Sequence, residues 1–460
     1  MANFTPILVV IWVVAMLGVF PSFRPHRGVL FIVLNGMLFL PQLQEEIALG
    51  PIHFNKFHAI SYAALFGALM YDSERLVSWR PRWFDTAMLV WCLCPVPSVL
   101  TNDPPPDGSS SMRDAFAQTW GQIVSYGVPY LLGRVYFTER ANLRDFALGV
   151  ILAAVVYTPF CLYEVRMSPQ LHAKIYGYAQ HDFGQTVRFG GFRPMVFMPH
   201  GLALAMFMTS ATLIACWMWW AGALRWAAAE GKEVDKRLER VPLLLGPTTV
   251  LLKSTGALGL GLIGGATLVL GRLTGLRVWL VGLALLPTVY VVVRVTGTWT
   301  GESLVAAIGE YIEEDRAKSL EFRFTNENLL VEKALERPMF GWGGWGRNRV
   351  YEEDDGKDTT VTDGLWIIVL GDRGVVGLVA LGSVLLFPVV RFAWLFPAAT
   401  WSTRAVAPAA ACTVVVALWT IDCLPNGMVV PIYIVMAGAL IGIDPAEYVE
   451  PDEVPQPQAQ

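Results

Sequence analysis

Six ionisable side chains stand where an apolar chain has little structural reason to keep them. Arg188 and Arg193 precede a hydrophobic run, His200 enters it, Lys253 interrupts another, and Arg323 and Asp363 frame the later part of a long polar stretch. Arginine is always charged and grips phosphate through paired N–H bonds, so Arg188 and Arg193 suit a departing phosphate, with Lys253 as a further point charge. A carboxylate beside such cations can take the proton of an attacking hydroxyl. That assigns Asp363 as general base, Arg323 as its orienting partner or a contact to a second substrate, and His200 as an auxiliary polar contact. Each residue also has a plainer reading. The cations snorkel or anchor to lipid phosphates, His200 is a satisfied interior histidine, and Asp363 caps a helix beginning at Gly364.

These residues must be held by membrane helices. Hydrophobic residues make up 54% of the 460 and charged residues only 16%, against about 25% charge in an average soluble domain. A soluble chain, a disordered chain and a collagen-like chain are thereby excluded. The formal charge of −4 gives no bulk electrostatic reason to expect nucleic acid. The expected fold is an all-α polytopic bundle of about 12–13 membrane helices within one domain, 1–443. The candidate spans are roughly 4–20, 29–41, 57–71, 83–99, 115–133, 146–163, 195–220, 241–252, 255–270, 276–293, 364–390, 405–421 and 425–443.

Alternating the loops puts Arg24, Arg27, Arg75, Arg80, Arg82, Arg134, Arg140, Arg144, the 225–240 basic run, Arg272, Arg277, Arg391 and Arg404 on one face. The positive-inside tendency makes that face cytoplasmic. It leaves the acidic tail 444–460 inside and disordered. Two outer segments stand out. The basic loop 164–194 carries Arg166, Lys174, Arg188 and Arg193 against Glu164 and Asp182, while 294–363 carries nine basic and fifteen acidic residues. In the larger loop an amphipathic helix over 302–315 and a second from an N-cap at Thr325 to Leu335 are predicted, both along the membrane surface. The run FGWGGWG at 340–346 offers close backbone approach and two flat faces, Trp342 and Trp345, for sugar rings or for the bilayer interface.

No metal or cofactor is expected. The six cysteines lie in or beside apolar runs without ligand spacing and read as small buried hydrophobes. The acidic group Glu352, Glu353, Asp354, Asp355 and Asp358 lacks the glycine-punctuated alternation of a calcium loop and reads as a solvated turn. Glu164 with Arg166 forms a possible local pair, and Asp422 is a polar intrusion near the outer end of its span.

The stretch RFTNENLLVEKALERPMFGWGGWG followed by TDGLWIIVLGDRGVVGLVAL, between Arg323 and Leu381, resembles the C-terminal signature of the O-antigen ligase and polymerase superfamily. RFGGFRPMVFMPHGLALAM at 188–206 and KSTGALGL at 253–260 are similar to two earlier family segments, in the same order. Counting back from Gly374 puts Asp363 where the family has His and Gly364 where it has Asn, and Thr255 replaces an Arg. The resemblance implies a metal-independent glycosyltransferase of the bacterial inner membrane, acting at its outer face on polyprenyl-diphosphate-linked glycan. The implied partners are a glycan acceptor, membrane lipids and a chain-length regulator. Polymerisation is preferred to ligation onto lipid A core or protein. A glycolipid or anion transporter is the alternative of another class, although no inverted repeat is visible, and a noncatalytic assembly subunit is a third.

Overall fold

The computed structural model describes residues 4–44, 46–49, 52–188, 190–224, 237–311, 314–352 and 356–448. It is 73% helical, and its strands among the described residues are two short ribbons, Ile47–Leu49 with Ile52–Phe54 (β1, β2) and Val187–Arg188 with Gly191–Phe192 (β3, β4). The all-α bundle is what the composition dictates, because a helix satisfies its backbone polar groups internally in a medium that offers none.

Among the described residues seven segments are long and apolar enough to cross a membrane: Thr5–Ser22, Trp83–Leu100, Arg140–Met167, Gly201–Trp220, Thr255–Thr274, Val278–Val295 and Leu365–Leu395. In chain order the helices are α1 (Thr5–Val19), α2 (Pro25–Phe39), α3 (Lys56–Tyr71), α4 (Ser73–Ser78), α5 (Thr86–Leu93), α6 (Pro95–Leu100), α7 (Ser111–Gln122), α8 (Val128–Tyr136), α9 (Arg140–Met167) and α10 (Leu171–Tyr176). They continue as α11 (Gly201–Trp220), α12 (Val241–Leu251), α13 (Thr255–Thr274), α14 (Val278–Val295), α15 (Glu302–Tyr311), α16 (Glu314–Leu335), α17 (Leu365–Leu395), α18 (Ala407–Asp422) and α19 (Pro431–Ile441). Helices α18 and α19 are buried almost throughout and form the centre of the bundle. At Gly133 and Gly438 helices α8 and α19 approach so closely that a Cβ would lie 2.1 Å from Val435 O and 2.2 Å from Tyr130 O, the small-residue contact by which membrane helices pack. Outward faces stay apolar, as at Leu243, Leu262, Leu285 and Trp394.

Several expectations require correction. The seventh span does not begin at 195: residues 195–200 are irregular and α11 starts at Gly201. Pro194 and Pro199 explain this, since the residue before a proline is pushed out of the helical region. His200 is therefore the N-cap residue, not a residue one turn inside. The eighth expected span is α12, whose eleven residues cover only about 16 Å, too little to cross the hydrocarbon alone. Thr325 lies inside α16 rather than at its N-cap, because nothing from Glu314 onward breaks the helix. Gly364, not Asp363, is the N-cap of α17, and no side chain caps it. The tail is not free from 444: Pro445–Tyr448 forms a 3-10 turn and Tyr448 is buried edge-on against Phe396, while 449–460 lie outside the described residues. All six cysteines are free and five are buried, but Cys216 is exposed on the flank of α11.

The FGWGGWG run makes the close approach expected of it, against α17. That helix is broken at Gly374 (φ 63°, ψ −165°). The backbone after α16 is laced into the break: Val375 N and Val376 N donate to Pro338 O (2.8 Å) and Met339 O (3.3 Å), and Trp342 N and Gly343 N donate to Gly371 O (2.8 Å) and Asp372 O (3.0 Å). A Cβ at Gly374 would sit 2.4 Å from the Met339 backbone, so only glycine fits this crossing.

Candidate functional site

A cavity of about 1260 Å³ opens on the face that carries the 164–194 loop. Arg188, Arg193, His200, Arg323 and Asp363 all line it, with His181, Gln185, Tyr290, Glu327, Asp422 and Asn426. Its volume exceeds the roughly 300–1,000 Å³ typical of a site for one small ligand. Its walls are the 181–200 segment, the N-terminal turn of α13, the end of α14, one face of α16, the entry to α17 and the exit from α18.

The basic end is built by the β3–β4 ribbon, in which Arg188 pairs with Gly191. Arg193 N donates to Thr186 O at 2.7 Å, and the Arg193 stem packs on Gly201, where a Cβ would lie 2.6 Å away. Its Nη2 reaches Lys253 O at 3.5 Å, yet its buried Nε has no hydrogen-bond partner among the described residues. Burial, and then the neighbouring Arg188, both work against the Arg193 charge. A bound anion would relieve both. Lys253 does not line the cavity. It holds an unusual left-handed backbone (φ 54°), and its ammonium lies over Gly191, where a Cβ would be 2.0 Å from Nζ. It thus sits behind the ribbon that presents the two arginines.

His200 caps α11 by accepting Leu202 N on Nδ1 at 3.0 Å, so its proton sits on Nε2, directed at Gln185 Oε1 3.4 Å away. Its ring meets His181 edge-on at 4.7 Å. Burial first, then His181, Arg193 and Arg188, pushes the His200 pKa down to about 4, and His200 is neutral at pH 7. Its folded pKa lies below the ordinary value of 6.5, so it stabilises the fold fully above about pH 6.5, and that contribution is lost as pH falls toward 4. Buried His172, also lowered chiefly by burial, acts with the same sign. Melting temperature should therefore fall between pH 7 and pH 4.5, and His200→Asn, which can still cap the helix, should flatten that slope. An unchanged slope in the variant would contradict the assignment.

At the other end, Asp363 Oδ2 lies 3.9 Å from Arg323 Nε, both side chains being nearly half exposed. Arg323 and Glu327 share one face of α16 at i,i+4 spacing. Glu327 is anchored from beneath: Tyr290 Oη donates to its Oε2 at 2.7 Å and Arg294 Nε at 3.1 Å. Burial pushes the Glu327 carboxyl up, while Tyr290 and Arg294 pull it back. Arg294 also donates to Thr300 O and Phe324 O, which fixes α16 over the end of α14. Asp422, the last residue of α18, completes this end.

Other expected site residues lie elsewhere. Arg166 is exposed at the end of α9 and does not line the cavity. Its supposed partner Glu164 instead accepts four backbone N–H groups, from Gln170, Leu171, Met195 and Val196. Trp342 Nε1 donates to Lys333 O and its ring lies under Lys333 and Arg337. Trp345 donates to Asp114 Oδ2 at 3.1 Å. Neither tryptophan lines the cavity: Trp342 packs on the end of α16 and Trp345 on α7. Glu353, Asp354 and Asp355 lie outside the described residues; Asp358 pairs with Arg349, whose hydrogen bonds hold its carboxyl below the usual range despite slight burial.

Among the described residues no three His, Cys, Asp or Glu side chains gather as metal ligands. The sequence reading passed over Glu327, Tyr290 and Gln185. The i,i+4 spacing of Arg323 and Glu327 was a usable signal for the first, and nothing local marks the other two. Compared with known proteins, the chain matches no family model and no curated protein. The site therefore rests on its own geometry: a cavity lined by the guanidinium groups of Arg188, Arg193 and Arg323 and by the carboxylates of Asp363, Glu327 and Asp422, with room for an anion and a hydroxylated molecule together.

Proposed function

We propose that the chain is a membrane glycosyltransferase that polymerises or transfers glycan carried on a polyprenyl diphosphate, working at the outer face of the bacterial inner membrane. The observation that carries this reading is the convergence of Arg188 and Arg193 with Arg323 and Asp363 on one cavity, from segments as much as 175 residues apart. The O-antigen ligase and polymerase resemblance points to the same chemistry, and the arginine-rich opposite face supports the orientation.

In this reaction the acceptor hydroxyl oxygen attacks the anomeric carbon of the donor sugar. The bond from that carbon to the diphosphate oxygen breaks, and its electron pair leaves with the diphosphate, whose growing charge Arg188 and Arg193 stabilise. The hydroxyl proton passes to Asp363, which Arg323 holds in place. Lys253 sets the ribbon from behind.

The purified protein in lipid nanodiscs, given a lipid-diphosphate oligosaccharide as its only substrate, should build a ladder of products. Asp363→Asn should slow the ladder about 100-fold with melting unchanged. A single product that appears only when lipid A core or protein is added makes the chain a ligase. Absence of transfer from several such donors to any of these acceptors would end the glycosyltransferase reading.

A further inference from the structure

Among the described residues most buried or half-buried carboxylates are held by several donors or have arginines about them, Asp114 by Gln118 and Trp345 and Asp372 with Arg347, Arg349 and Arg373 near it. Asp85 is bonded by Arg134 and Tyr130, Asp145 by His26 and Arg27, Glu164 by four amides and Glu327 by Arg294 and Tyr290. Asp422 differs. It lies on the cavity wall at the C-terminal end of α18, the end at which a helix disfavours negative charge. It has no cationic partner among the described residues, and its one side-chain hydrogen bond there comes from Asn426 Nδ2 at 3.2 Å. Asn426 is held in turn by donating to Asp422 O at 3.1 Å, and it too faces the cavity. A carboxylate kept in so poor a position, within a membrane bundle, has unused acceptor capacity directed at whatever fills the space.

Its place relative to Asp363 is fixed by the backbone. Leu365 N donates to Cys423 O at 2.9 Å, and a Cβ on Gly427 would lie 3.1 Å from Asp363 O. The entry to α17 and the exit from α18 are thus stitched side by side, in a cavity that the cationic ribbon also lines. Adjacent hydroxyls on a sugar ring present two donors at a spacing that suits one carboxylate, whereas an acidic sugar would bring a second anion against Asp422, which has no cation of its own among the described residues, Arg323 being paired with Asp363.

We propose that Asp422, positioned by Asn426, forms the acceptor subsite, and that the acceptor's terminal sugar is neutral and carries free vicinal hydroxyls that donate to the Asp422 carboxylate. This rests on the glycosyltransferase reading and adds the chemical class of the acceptor. Asp422 is a binding residue in this scheme, and the proton still goes to Asp363. Arg323 and Arg294 offset Asp363 and Glu327, so the bias against acidic sugars comes from Asp422 itself.

The test measures equilibrium binding and transfer separately, using trisaccharide glycosides ending in glucose, galactose, mannose or rhamnose, their terminal vicinal di-O-methyl ethers, and the matching uronic acids. At least one neutral glycoside should bind the wild type. Asp422→Asn should weaken that binding and raise the acceptor KM by about 10- to 100-fold, the loss expected for hydrogen bonds to a charged group, with donor KM unchanged. Asn426→Ala should do the same to a smaller degree. The di-O-methyl ether should bind the wild type as poorly as the parent sugar binds Asp422→Asn, with no further loss when the two are combined. The uronic acids should bind more weakly than their neutral counterparts. The proposal is overturned if no neutral glycoside binds, if Asp422→Asn leaves binding unchanged while its melting matches wild type, if uronic acids bind equally well, or if kcat falls while acceptor KM stays constant. Because binding is read without turnover, a wild type that binds neutral sugar through Asp422 but transfers nothing condemns the glycosyltransferase reading and not the subsite.

Discussion

Replacing Arg193 with alanine should lower glycan transfer by about 100- to 1,000-fold, almost wholly in kcat, the loss seen when one preorganised donor to a developing charge is removed. Arg193 is singled out over Arg188 because it is half-buried, its Nε has no partner among the described residues, and Gly201 leaves room for its stem. Electrostatic attraction strengthens where water is excluded. Arg188 is exposed at the lip and should cost less. Arg193→Lys keeps the charge but loses the forked donor geometry, so it should restore only part of the rate. Stopped-assay product ladders and melting curves on the same preparation measure both. Equal losses for Arg193→Ala and Arg193→Lys would show that the charge without the fork contributes nothing, and full activity in Arg193→Ala would contradict the account.

The largest effect on stability should come from Glu164→Ala. This carboxylate is 1% exposed and ties α9 to two other segments. Its Oε1 accepts Gln170 N at 3.1 Å and Leu171 N at 2.9 Å, and its Oε2 accepts Met195 N at 2.9 Å and Val196 N at 2.7 Å. Met195 and Val196 are buried, and Val196 adopts a left-handed backbone (φ 53°) that a β-branched residue rarely accepts. Leaving those two amides unsatisfied costs about 2–6 kcal/mol, at about 1–3 each. Glu164→Gln keeps one acceptor and should recover part of it. Thermal melting and yield after solubilisation report the difference. Melting unchanged in Glu164→Ala would contradict the clip.

The helical skeleton was legible because a lipid solvent forces long apolar runs, and the runs at 255–270 and 276–293 become α13 and α14. The cavity's cations and Asp363 were legible for a related reason, since charge next to apolar sequence is costly enough to need an explanation. What the chain hides is partnership across distance. Glu164 looked like a mate for Arg166, but residues two apart on a helix point to different faces, and its real partners include amides some thirty residues on. Trp342 and Trp345 looked like sugar platforms, but their partners sit on α16 and at Asp114. His200 was misplaced in depth through neglect of the two prolines before it. Asp422 was visible as an intrusion, but its lack of a counter-charge is a property of three-dimensional surroundings.

The splice of the Pro338–Gly343 backbone into the gap in α17 bears on how a carrier-bound molecule gets in. Four main-chain hydrogen bonds clamp the chain directly after α16, and Glu327 with Arg294 pins that helix midway. This side of the vestibule is consequently a fixed partition, not a swinging door. On the proposed function, a tethered guest enters laterally past this wall and meets Asp363 and Arg323 already paired.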